Sequence, residues 1–392
     1  MAAMPRLLWL FCLANLIIGS GAFVIGGILA PIASDLDVTI AAAGQAMTAY
    51  ALSTALLAPL ALVATGRWSR KRTLLALLLA FTLGNVLCAL ATTLPALLAG
   101  RVLMGIGAAF TPVAAGMAVA MVEAPRRGQA LALVFMGMSL SYAVGVPLGS
   151  WLGLSHGWHT PLWVVVVACV LALAAVMAWV PSGDKAANLG YSGMGALLAR
   201  RDVLAVLLMT LLYFIAIFVV FSYIGPVLQA LVPMGRERQS VTLALFGVSG
   251  VAGTLVGGAC NDRFGSLRTL RVLLAVLGTT MLLLPLTAGS WPALMITLVV
   301  WGCAGFGLMV PQQSRLAALA PAQAPLLLSL NTSMLYLGTA FGAVVGGAAA
   351  ARLGLAQLAW AGAPFVAVCL VMALAGHTLQ AAALVPRQES ER

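Results

Sequence analysis

The sequence predicts an all-α membrane protein of twelve transmembrane helices arranged as two pseudo-symmetric six-helix bundles. Three observations lead there. First, 63% of the 392 residues are hydrophobic and only 7% are charged, too few charges to build a water-facing surface. Second, apolar stretches long enough to cross hydrocarbon recur twelve times, and twelve helices of about 20 residues leave chain for short loops and little else. Third, landmarks repeat at an offset of half the chain length, 196 residues. The formal charge of +11 does not point to nucleic acid, because the cations lie in short runs between apolar stretches, as loop charges at a membrane surface do.

The spans read as 7–31, 41–64, 73–91, 95–122, 130–153, 161–180, 203–231, 240–260, 270–289, 292–314, 326–350 and 357–380. The first follows Arg6 as a secretory signal would, but it runs to Pro31 without an evident cleavage site and is kept as a span. An even number of spans places both termini on one side. With that side cytoplasmic, the Lys and Arg residues divide into 16 inside, 3 outside (Arg236, Arg238, Arg352) and Arg101 within the bilayer. This is the positive-inside pattern. The domains expected are an N-terminal bundle over 1–180, a central cytoplasmic loop over 181–202, and a C-terminal bundle with a short tail over 203–392.

The repeat rests on several landmarks. GRWSRKR at 66–72 follows span 2 and DRFGSLR at 262–268 follows span 8. Ala124-Pro125 after span 4 recurs as Ala320-Pro321 after span 10, and Pro31 corresponds approximately to Pro226. The six cysteines (Cys12, Cys88, Cys169, Cys260, Cys303, Cys369) all fall inside spans without a CxxC pair, and read as small buried residues. HGWH at 156–159 reads as a loop with Trp158 at headgroup level, because two histidines without a nearby Cys or carboxylate make a poor metal site. No metal and no cofactor is expected.

Several strings together carry a family resemblance. LVATGRWSRKRTLL resembles the gating motif Gly-x-Leu-Ala-Asp-Arg-x-Gly-Arg-Lys of the major facilitator superfamily, and GGACNDRFG at 257–265 resembles its second copy. LAGRVLMGIGAA at 98–109 is similar to the arginine motif of span 4. GMSLSYAVGVPLGSWLG at 137–153 resembles the Gly-Pro motif of antiporter span 5. SLNTSMLYLGTAFGAVVGG at 329–347 resembles span 11 of the bacterial chloramphenicol, sugar and nucleoside efflux permeases. The resemblance covers essentially the whole chain and falls in the twelve-span drug:proton antiporter branch.

It implies a transporter in a bacterial cytoplasmic (inner) membrane, working by alternating access as a monomer, with a small-molecule substrate, protons and lipid as partners and no enzymatic activity. By the same analogy spans 1, 4, 7 and 10 line a cavity, where Asn15, Phe23, Arg101, Tyr213, Tyr223, Trp301, Phe306 and Gln312 are the polar or aromatic candidates. Gating falls to Arg67, Arg70, Lys71, Asp262, Arg263 and Gly265. The first copy departs from the motif, with Gly66 at the acid and Ser69 at the second glycine, so gating strength is expected at Asp262.

The remaining candidates follow from charge and spacing. Arg101 is a formal charge well inside a span, which is costly unless it faces protein or a wet cavity. It reads either as a structural arginine bonded to carbonyls of span 1 or as a proton-relay or substrate contact. Gly137, Ser141, Gly145, Gly149 and Gly153 recur every four residues, with Pro147 as a kink, and are expected to pack span 5 on span 8. Gly338, Gly342 and Gly346 repeat the device in span 11, with Asn331 as a packing hydrogen bond. No acid lies in mid-span, and Ala22 occupies the place where the resembling permeases carry a glutamate. Proton coupling then falls to Asp35, His377 or an Arg101 network, unless the protein is an uncoupled facilitator. Efflux of neutral or anionic amphiphiles is the leading expectation. Metabolite uptake is the runner-up within transport, and a membrane sensor or scaffold is the alternative of a different class.

Overall fold

A computed structural model describes residues 6–123, 126–182 and 197–383, without the side chains of 322, 325 and 376–383. The twelve spans are α1 (Arg6–Gly27), α2 (Ile40–Ala64), α3 (Arg70–Ala89), α4 (Leu94–Ala120), α5 (Arg127–His156), α6 (His159–Trp179), α7 (Arg201–Phe221), α8 (Arg236–Phe264), α9 (Ser266–Thr287), α10 (Trp291–Leu319), α11 (Leu326–Leu353) and α12 (Leu355–Ala375). Helices are what hydrocarbon permits, because each backbone donor and acceptor is satisfied within its own segment. Residues 183–196 of the expected central loop lie outside the described residues.

Pseudo-symmetry shows in where the helices break. α1 gives way to a short 3-10 turn and then to the helix Leu29–Asp35, and α7 gives way to the helix Ile224–Leu231, their N-caps Ile28 and Tyr223 separated by nearly half the chain. α4 is interrupted at Ala108 and Ala109, and α10 at Leu308. α5 carries a π turn over Ser141–Gly145 ahead of Pro147, whose missing amide donor the wider turn accommodates.

Within each half one glycine-bearing helix lies along the half's first helix. The α5 stripe meets α1: Gly137 sits on the Cys12 carbonyl, Gly145 on Ser20, Gly149 on Val24 and Gly153 on Ile28. The stripe glycines themselves thus face α1, while α5 meets α8 at its π turn, where Gly247 of α8 sits on the Tyr142 carbonyl. Spacing reveals a groove but not which helix fills it, and α1 fills it here. In α11, Gly338, Gly342 and Gly346 receive α7 at Leu211, Ile215 and Val219. Backbones this close leave no room for a Cβ.

Two buried polar tethers reinforce these pairs. Asn15 of α1 donates to the Val134 carbonyl of α5 (3.2 Å) and accepts from Thr111 of α4 (2.6 Å). In the other half Thr210 of α7 donates to Asn331 of α11 (2.6 Å), and Gln312 of α10 donates to Thr210 (3.1 Å) and to the Val206 carbonyl (2.6 Å). Each tether joins the first, fourth and fifth helix of its half.

Candidate functional site

The two ends of the bundle differ in charge. Arg67, Arg70, Lys71, Arg72, Arg126, Arg127, Arg200, Arg263 and Arg268 gather in the loops and helix ends of one, here called the basic end. At the opposite, far end the halves touch. Gly26 and Gly27, where α1 turns, meet the chain just after α7: a Cβ on Gly26 would lie 2.8 Å from the Phe221 carbonyl, and one on Gly225 would lie 2.7 Å from that of Gly27. Tyr223 packs onto Gly44 of α2 while its hydroxyl donates to the Ala343 carbonyl of its own half (2.8 Å).

Gln239, at the start of α8 and 2% exposed, ties the halves by hydrogen bonds. Its Nε2 donates to the Gly27 carbonyl (3.0 Å) and, more weakly, to Ser150 Oγ of α5 (3.4 Å). Its Oε1 accepts from Gln229 (2.8 Å), which fixes the amide's orientation. Ser150 also donates to the Gly27 carbonyl (3.2 Å). Sequence reasoning passed over Gln239, because a glutamine near a span end gives no sign of the carbonyl it will meet.

One turn inward from this contact, aromatic rings from both halves pack against one another into a wall. Phe23 stacks on Tyr142 at 4.8 Å between centroids and meets Tyr50, Phe218 and Phe221 at 6.1 to 6.4 Å. Tyr142 meets Phe306 edge-on at 4.9 Å, Tyr336 meets Tyr50 at 6.2 Å, and Phe246 stacks on Trp301 at 4.9 Å. These rings come from α1, α2, α5, α7, α8, α10 and α11. Trp301 Nε1 is buried without a partner, and Tyr50 Oη, also buried, makes no hydrogen bond of good geometry although the Thr54 and Tyr336 hydroxyls lie beside it. Offset-stacked and edge-on rings of this kind form an adaptable apolar surface with a few polar points.

Arg101 lies behind that wall, fully buried. Its guanidinium sits 4.7 Å from the centre of the Tyr50 ring and donates to the carbonyls of Gly21 (2.9 Å), Ala22 (2.6 Å) and Ala46 (3.1 Å). Those carbonyls belong to the end of α1 and to α2, so the arginine braces three helices where α1 leaves regular geometry. This is the arrangement of the structural-arginine reading, with Ala22 contributing a backbone oxygen.

Phe23, Trp301 and Phe306 of the expected cavity set thus stand in the aromatic wall, and Arg101 supports it. Asn15 and Gln312 serve the tethers within each half, Tyr213 lies beside Cys369 of α12, and Tyr223 serves the far-end contact. Tyr50, Tyr142, Tyr336, Phe218, Phe221 and Phe246 were missed. The spacing of Phe214, Phe218 and Phe221 on one face of α7 was the signal available.

At the basic end, Ser69 caps α3 by accepting from the Arg72 amide (3.4 Å), and Lys71 donates to the Met177 carbonyl (2.7 Å). Gly265 starts α9 with φ of 80°, a conformation open to glycine and strained for other residues. Ser69 stands at the matching place with φ of −65°, so the first loop replaces a left-handed turn with a side-chain cap. Asp262 is exposed and accepts from Asn261 (3.3 Å), and Arg263 lies over the Phe264 ring. At the far end Asp35 accepts from Trp158 Nε1 (2.8 Å), and His159 stacks against Trp158. The side chain of His377 lies outside the described residues.

The sequence matches the profile of the Major Facilitator Superfamily over residues 11–318 and 234–391. It is 35% identical to the chloramphenicol resistance protein of Streptomyces lividans over 96% of this chain and 97% of that one. The chain belongs to the Major Facilitator Superfamily. It is 34% identical to the inner membrane transport protein YdhP of Escherichia coli K12, over 84% of this chain and 86% of that one. Among solved structures, a bacterial homologue of the human lysosomal transporter Spinster superposes with a TM-score of 0.81 at 17% identity, covering 95% of this chain and 96% of that one. A D-xylose-proton symporter gives 0.75 at 15%, covering 93% and 96%. This superfamily member is accordingly a multi-pass inner-membrane transporter of small molecules and not an enzyme.

Proposed function

We propose that the protein exports small, uncharged amphiphilic organic molecules from the cytoplasm by alternating access between its two halves, as a monomer with both termini cytoplasmic. The carrying observation is the wall of aromatic rings packed between the halves with no carboxylate among them, which is read here as the lining of a substrate chamber. Export is the direction favoured by likeness to a chloramphenicol resistance protein, and the basic end is the cytoplasmic one by the positive-inside rule. The three carbonyls that occupy Arg101 favour neutral over anionic substrates. Sugars, with many hydroxyls to satisfy, find few partners among rings.

Exchange for protons needs a group that binds and releases a proton within the cycle. Among the described residues the acids Asp35, Asp37, Glu123, Asp202, Glu237 and Asp262 are all exposed near helix ends. That observation favours a second reading, an uncoupled facilitator. In the coupled reading Asp35, His377 or the Arg101 network carries the proton, and Asp262 with its basic neighbours governs the basic-end gate. Uptake of a compound panel into inverted membrane vesicles, with and without an imposed pH gradient, tests direction, substrate and coupling together. Accumulation of uncharged aromatic amphiphiles is expected. Robust electrogenic transport of ethidium instead of these would refute the substrate class.

A further inference from the structure

Three phenols converge on one side of the chamber from three helices and from both halves. Tyr50 comes from α2, Tyr142 from α5 and Tyr336 from α11. Phe23 meets Tyr50 and Tyr142, and the Tyr336 ring stands edge-on to Tyr50. Tyr50 Oη is buried with only the Thr54 and Tyr336 hydroxyls beside it and no hydrogen bond of good geometry, while the Tyr142 and Tyr336 rings are half-buried. A buried hydroxyl left unpartnered is costly, and native folds satisfy nearly all such groups.

We infer that Tyr50, Tyr142 and Tyr336 form a hydroxyl subsite that recognises an acceptor oxygen on an uncharged aromatic substrate, such as a nitro, sulfonyl or amide oxygen. This rests on the reading of the chamber as the substrate site and adds the determinant of specificity within it. A phenol can donate to such an oxygen, and Phe23 and Phe306 offer faces and edges on which the substrate's ring can stack. A cation finds no carboxylate among these rings. A carboxylate substrate would surrender its hydration mainly to phenols, since Arg101 gives three of its five N–H donors to the Gly21, Ala22 and Ala46 carbonyls and a fourth to Met104 Sδ. The acceptor also touches both halves at once, through Tyr50 and Tyr142 on one side and Tyr336 on the other. Binding therefore favours a conformation in which the halves are closed around it.

The test uses the full chain in lipid nanodiscs and two uncharged probes of equal size, a para-nitrophenyl amphiphile and its isopropyl counterpart, with affinity read by isothermal titration. The nitro compound should bind the native protein about 2- to 10-fold more tightly, the range that one net hydrogen bond supplies. Tyr50→Phe, which keeps the ring, should erase that preference, bringing the two probes to equal affinity. Tyr213→Phe, at a tyrosine beside Cys369 outside the chamber wall, should retain it. Equal binding of both probes to the native protein, or a preference that survives Tyr50→Phe, overturns the subsite and leaves the chamber reading standing. Failure of both probes to bind the native protein overturns the chamber reading and the subsite with it.

Discussion

Replacing Gln239 with leucine should loosen the far-end contact without disturbing either half. The native amide is 2% exposed and bonds to the Gly27 carbonyl at 3.0 Å and to Ser150 Oγ at 3.4 Å, both in the other half. One net hydrogen bond contributes about 0.5 to 1.5 kcal/mol, and the longer second bond adds less than the first. The Gly27 carbonyl keeps its bond from Ser150 and Gln229 keeps its bond to the Met234 carbonyl, so little is left orphaned. The loss is therefore about 1 to 2 kcal/mol, a factor of about 5 to 30 in the ratio of far-end-closed to far-end-open molecules. Spin labels at Ser34→Cys and Glu237→Cys, exposed far-end positions in opposite halves, report that ratio as a distance distribution once the six native cysteines are removed. The long-distance population should grow in Gln239→Leu while the melting temperature in detergent changes little. An unchanged distribution would show that the hydrogen bonds across the halves do not hold the gate.

Other substitutions probe the remaining supports. Gly247→Ala puts a methyl group onto the Tyr142 carbonyl, a backbone contact that cannot yield, so far-end closure and transport should both fall while expression persists. Arg101→Ala strands three buried carbonyls at about 1 to 3 kcal/mol for each left unpaired, and thermal unfolding in detergent should drop sharply. Arg101→Lys should recover only part of that loss, since an ammonium cannot reproduce the planar fork. Gly265→Ala forces a left-handed φ of 80° on a residue with a Cβ, costing about 1 to 2 kcal/mol, whereas Ser69→Gly should cost only a few tenths as a lost cap.

What the sequence disclosed depended on whether a property belongs to one helix or to a pair. Length, apolarity and loop charge belong to single segments, and they yield twelve spans and the landmarks of two halves. Arg101 stood out because a charge in hydrocarbon demands partners, yet Gly21, Ala22 and Ala46 offer only backbone oxygens, which no side-chain pattern announces. The α5 stripe was plain as a groove, but α1 and α8 were both available to fill it. Asn15 and Gln312 read as cavity polar groups because a buried amide looks alike in sequence whether it meets a ligand or, as here, Val134 and Val206. Tyr50, Tyr142 and Tyr336 lie on helices outside the set that family analogy assigns to the cavity. Only the packing of α2, α5 and α11 around Phe23 brings them together.

The central claim is that substrate passes between two halves that must part at the far end. A covalent bridge in place of the Gln239 contact tests it most directly. Cysteines at Gln239 and Ser150, whose side chains approach to 3.4 Å, can be joined by a short bifunctional thiol reagent in a background without native cysteines. Uptake of an uncharged aromatic amphiphile into inverted vesicles should stop on cross-linking and resume when a reducible linker is cleaved. Undiminished uptake with the halves fully joined would contradict the account.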